Sequence, residues 1–128
     1  MSEWGHESFE AAADLSSYQY RFVKPSSGAL KCTIATTGSK NLGVLQNKPD
    51  AAGKAADVII CGLSKVYIND ASLALGSLLR SDTIGAAAIA KVVGQCISGM
   101  LVDDAGTEAT GDIRWAKIFQ AEVADTSG

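Results

Sequence analysis

Turn-forming residues interrupt this chain roughly every 8 to 12 residues from Ser17 onward, and the segments between them are short. That spacing leaves little room for helices and favours many brief strands. In "YQYRFVK", Tyr18, Tyr20 and Phe22 point one way and Gln19 and Arg21 the other, the period-two signature of a half-buried strand. "PSSG" (Pro25 to Gly28) is turn chemistry. In the segment after it, Leu30, Cys32 and Ile34 alternate against Lys31 and Thr33, so the two segments predict a first hairpin. The chain has 128 residues, the size of one domain, and 47% of them are hydrophobic. Aromatics are only 6%, so the core must be built mainly from Val, Ile, Leu and Ala.

The best-formed stretch is "LGVLQNKPDAAGKAADVIICGLSKVYI". Its first part reads as a short strand. Pro49, Asp50 and Gly53 suit an open loop, since proline presets a turn and glycine accepts positive φ. "DVIICGLSKVYI" then reads as one largely buried strand with Gly62 as a bulge. "NDASLALGSLLRSD" and "TIGAAAIAKVV" are open between helix and strand, the first favouring a loop and a short strand at Ser77 to Arg80. "VVGQCISGMLV" reads as strand, "DDAGTEATGD" as a polar turn. In the closing "IRWAKIFQAEV", Ile113, Trp115, Phe119 and Val123 are expected on one face, with Ile118 on the other. The sum is an all-β domain, a small β-barrel or β-sandwich over residues 17–128 with little helix. Residues 1–16 are polar and acidic apart from Trp4 and Phe9, and read as an extended N-terminal arm whose two aromatics dock on an interface. Deleting that arm is then expected to leave a folded barrel.

Chemistry is harder to place. His6, the one histidine, lies in the arm, where it lacks the rigid surroundings a nucleophilic site needs. Cys32, Cys61 and Cys96 are dispersed, without CxxC spacing, and each sits in an apolar run as a small buried hydrophobe. One His and three scattered Cys do not make a zinc site. Gly53-Lys54 lacks the upstream glycine and following Ser/Thr of a phosphate loop. Asp103, Asp104, Glu108 and Asp112 lack calcium-loop spacing. A net charge of −3 with lysines and arginines spread singly argues against a nucleic-acid partner. No apolar run is long enough to span a membrane, and the acidic start is not a signal peptide. The reading is of a protein that is not an enzyme and carries no cofactor and no metal, made in a reducing cytoplasm.

The stretches "GVLQNKPDAAGKAADVIICGLSKVYIND", "LALGSLLRSDTIGAAAIA" and "VVGQCISGML" resemble the small capsid decoration (cement) proteins of tailed bacteriophages. The matching residues are Gly43 to Asn47, Pro49 to Gly53, Val58 to Val66, Gly76 to Ala88 and Val92 to Gly99. The arm, the first hairpin and the long "VDDAGTEATGDIRWAKIF" region depart from the pattern. The resemblance implies a compact barrel or sandwich that forms homotrimers on the outside of the expanded head. There it would clamp neighbouring copies of the major capsid protein and stabilise the lattice. The alternative is a small β-barrel binding or carrier module for a peptide, a sugar or a covalent cofactor; Lys54 stands at a hairpin tip, but its Ala-Gly surroundings do not match a carrier-lysine motif.

Overall fold

The computed structural model describes residues 5–28, 30–69, 75–89, 96–102 and 113–122. The polar turn expected at 103–112 and residue Trp4 lie outside them. The described residues are all-β and form no helix. The strands are β1 (His6–Ala11), β2 (Phe22–Pro25), β3 (Lys31–Ile34), β4 (Gly43–Leu45), β5 (Ala55–Ile59), β6 (Gly62–Tyr67), β7 (Leu78–Ser81), β8 (Ala87–Ile89), β9 (Cys96–Leu101) and β10 (Ile113–Glu122). Strands β1–β5 close into a barrel in the order β1-β3-β2-β4-β5, and β6–β10 form a second, five-stranded sheet in the order β6-β10-β9-β7-β8.

The barrel is small enough for its side chains to fill it. Ala11, Leu15, Val23, Cys32, Leu45, Ala56 and Val58 make one buried cluster, with Phe9, Tyr18, Leu42 and Ile60 packed against it. Neighbouring positions on the same strands point the other way. Phe22, Val44 and Ile59 enter a second cluster with Val66, Ile68, Leu79, Leu101, Ala116 and Ile118 from the second sheet. Successive strand residues face opposite sides. Thus Phe22-Val23, Val44-Leu45 and Val58-Ile59 each bury one side chain inside the barrel and one between barrel and sheet. This is why the segments around Val44-Leu45 and Val58-Ile59 read as apolar runs rather than as alternation.

Hydrogen bonds weld the two layers. Gln46 Nε2 donates to Ser64 Oγ (2.9 Å), and Asn41 Nδ2 to Ser98 Oγ (2.7 Å), with Ser39 Oγ donating to Asn41 Oδ1 (2.7 Å). Asn41, Ser64 and Ser98 are all buried, so each needs the partner it has. Asp82 builds a turn in which its Oδ1 accepts from the amides of Ile84 and Ala86 (2.9 Å each). That turn presents the Gly85 carbonyl to the Phe22 amide (2.7 Å).

Several expectations from the sequence change here. Residues 6–11 of the expected arm are a barrel strand: β1 runs antiparallel to β5 from His6↔Ile59 to Glu10↔Ala55, and parallel to β3 at Glu10↔Lys31 and Ala11↔Cys32. Leu15, also in that segment, is a fully buried plug. The alternating "YQYRF" is not a strand before Phe22, because Tyr20 takes positive φ (67°) and turns the chain. The β2–β3 hairpin does form, through Val23↔Ile34 to Pro25↔Cys32, but Leu30 precedes the strand at φ 60° and faces water. The expected single strand from Asp57 to Ile68 is two. Gly62 takes φ 110°, and the chain leaves the barrel for the second sheet between β5 and β6. On β10 the buried face is the even one, Ala116 and Ile118, while Ile113, Trp115 and Lys117 face out.

Two outcomes follow for stability. Deleting residues 1–16 removes the strand that joins β3 to β5, so the truncated chain should lose its cooperative urea transition; a two-state melt of that truncation would contradict the barrel closure. Gly85 has φ 75°, and a Cβ there overlaps the Ile34 side chain and comes within 2.8 Å of the Phe22 carbonyl oxygen. Gly85→Ala should therefore cost about 3 kcal/mol or more by denaturant titration.

Candidate functional site

The chain has few aromatics, yet all three tyrosines and Trp115 meet on one surface. The pairing of β6 with β10 sets Lys65 opposite Trp115, Tyr67 opposite Ile113 and Leu63 opposite Lys117. Lys117 also pairs with Met100 on β9, and Met100 with Leu78 on β7. The outer face of the second sheet is thus a continuous band of large apolar side chains crossed by lysines. Leu63 is 61% exposed, Trp115 46%, Ile113 45% and Leu78 39%. Scattered exposed leucines are ordinary, but a contiguous apolar band on one face points to contact with another molecule.

The 18–21 turn extends this surface beside β6. The Tyr67 amide donates to the Tyr20 carbonyl (2.8 Å). Arg21 lies over the Tyr67 ring at 4.2 Å from its centroid and near the Tyr18 ring at 5.4 Å. Its Nη1 donates to the Ile84 carbonyl (3.3 Å). The Lys65 ammonium stands between Tyr20 (5.8 Å) and Trp115 (5.7 Å). Each such contact contributes about 0.5–1 kcal/mol at an exposed site. Together they hold these long side chains in place. Tyr, Trp and Arg are the residues most enriched where protein interfaces concentrate their energy.

Of the two residues expected at an interface, Trp4 lies outside the described residues. Phe9 is on β1, opposite Ala56, and packs partly buried against the barrel cluster. His6 Nδ1 is 3.3 Å from Asp57 Oδ1 on the barrel surface, with the side chains 38% and 48% exposed. The Asp57 amide is held by Asn47 Oδ1 (2.9 Å). Lys54 is at an exposed loop tip, its ammonium 3.8 Å from the Asp50 carboxylate. Among the described residues no three His, Cys, Asp or Glu side chains converge as metal ligands. Cys32 and Cys96 are buried as expected, and burial pushes the Cys32 thiol up; Cys61, at the corner between barrel and sheet, is exposed instead. Sequence reasoning missed Tyr67, Arg21, Lys65 and Leu63. The available signal was the repeated placing of an aromatic beside a cation, in "YQYR", "KVY" and "RWAK".

No family model and no curated protein matches this chain. Among solved structures, the crystal structure of the head fiber gp8.5 N base in bacteriophage phi29 is similar, with a TM-score of 0.69. The match covers 94% of this chain and 98% of that one, at 15% sequence identity. At that identity the likeness is one of fold, and it spans the barrel and the second sheet together.

The cysteines offer a direct check on this surface geometry. A maleimide added to the native protein should label Cys61 within minutes, while Cys32 and Cys96 should react only after unfolding. Intact mass and peptide mapping read the result; early labelling at Cys32 would place the barrel interior wrongly.

Proposed function

We propose that this protein is a structural component of a tailed-phage head, a decoration protein that binds the outside of the head as a trimer and stabilises the lattice of major capsid protein. The observation that carries this reading is the fold likeness to the base of a phage head fiber over nearly the whole of both chains. The preorganised aromatic and basic surface on the second sheet supports it, because a head-bound protein works by contact alone and asks for no reacting group. A rigid body with several such contacts gains avidity when its copies are linked, since the second and third contacts form at high effective concentration. Binding the mature lattice in preference to free coat protein stabilises the shell by mass action.

The test uses expanded tailed-phage heads assembled without this protein. Added protein should bind them saturably in pelleting assays, in a stoichiometry set by the lattice, and should raise the temperature at which the heads release DNA. Light scattering should give a mass of three chains. Absence of saturable binding at tens of micromolar protein would remove the decoration reading.

A further inference from the structure

Charge is unevenly spread over the two layers. The β1–β5 ladder carries Glu7, Glu10 and Asp57 and no lysine or arginine. On the outer face of the second sheet, β6, β7 and β10 carry Lys65, Arg80 and Lys117; Arg114 has the inward parity of Ala116 and Ile118, and β10 ends on Glu122. The outer face of the second sheet is therefore apolar and basic, while the β1–β5 ladder is acidic, with Lys31 of β3 at its edge.

The barrel wall also carries an apolar projection. Leu30 is 72% exposed, the most exposed large hydrophobic among the described residues, and it holds a left-handed conformation at φ 60°. A branched side chain is strained in that region, and strain of this kind persists where the surroundings enforce it. Here the Leu30 carbonyl accepts the Glu10 amide (2.8 Å), which fixes the leucine beside a carboxylate. Glu10 in turn is 3.8 Å from Lys31.

We infer that these two surfaces are halves of one self-contact: the outer wall of β1 with the Ala55–Asp57 end of β5, and Leu30 as its apolar knob, seats on the outer face of the second sheet of another copy. The surfaces belong to different sheets of one rigid chain, so a single copy does not bring them together. A two-fold contact of the second-sheet face with itself would oppose Lys65 and Lys117 to like charges, which disfavours an isologous dimer. Joining unlike surfaces head to tail pairs lysines with carboxylates and Leu30 with the band around Trp115. Heterologous contacts of this kind close into rings or run on as filaments. The inference rests on the trimer proposed above and names the surfaces that build it.

The test is sedimentation velocity over a range of protein and salt concentrations. Wild type should associate, and less at high salt, since exposed ionic contacts are screened. Lys65→Glu/Lys117→Glu and Glu7→Lys/Glu10→Lys should each sediment as monomers, and the chain carrying all four changes should associate again. Leu30→Gly separates contact from folding: glycine relieves the positive φ, so stability should hold or rise while self-association weakens at least about tenfold. A monomeric wild type, or an assembly indifferent to both charge reversals and to Leu30→Gly, overturns the inference. Head binding is measured separately on wild type. A chain that binds heads but does not assemble in this way sinks only the interface, and one that assembles so but ignores heads sinks only the decoration reading.

Discussion

Three adjacent barrel strands that bury both of their faces are the constraint from which the rest of this structure follows. A five-stranded barrel on its own has an outside that must meet water. Here β2, β4 and β5 carry Phe22, Val44 and Ile59 on that outside, each almost fully buried. Burying side chains of this size is favourable by about 1.5–3 kcal/mol each, so the barrel is incomplete without a cover. The second sheet supplies it with Val66, Ile68, Leu79, Leu101, Ala116 and Ile118. The wall left uncovered, β1 and β3, is the one whose outward side chains include Glu10, Lys31 and Thr33. The asymmetry of the molecule is thus set by which strands are apolar on two sides and which on one.

Two layers packed only by apolar contact have some freedom to slide, and polar bonds remove it. Asn41 to Ser98 and Gln46 to Ser64 cross the gap at positions where an unmet donor would be costly. The backbone adds Phe22 to Gly85 and Tyr67 to Tyr20. The second of these explains why a tyrosine is tolerated at positive φ: the turn that aims the Tyr20 carbonyl at β6 also delivers Tyr18, Tyr20 and Arg21 to the surface where Tyr67 and Lys65 stand. Docking the layers and building the aromatic surface are one event.

The strands themselves were legible in the sequence wherever local chemistry dictated them. Pro25 to Gly28 turns the first hairpin, Gly43 to Leu45 is a short apolar run, and Leu78 to Ser81 falls within one residue of its expected place. What local pattern did not reveal was each strand's partner. Nothing in "SFEAAADL" announces a strand, because β1 owes its conformation to β5 and β3, 45 to 53 and 21 residues away in sequence. The split at Gly62 was hidden for a related reason. An apolar run buried on two faces looks the same whether it continues straight or changes sheets. The facing of β10 was misread because its large residues, Ile113 and Trp115, point outward and its small one, Ala116, points in. Size suggests a core when a strand is read alone; the fit against Leu101 and Ser64 decides it.

That reversal on β10 also bears on how such a fold takes up a role. Because side chains alternate, one strand carries two independent sets. Ala116 and Ile118 hold the layers together, while Trp115 and Lys117 take no part in the buried clusters. Changes in the outward set leave the barrel and its cover in place, so the fold tolerates a face remade for a different contact. A chain that keeps the architecture of another over nearly its whole length at 15% identity is what this division of labour permits. The inward residues need only remain apolar and of compatible volume, whereas the outward ones answer to whatever they touch. The apolar content of the outer face of β10 is therefore a property that the buried clusters do not require.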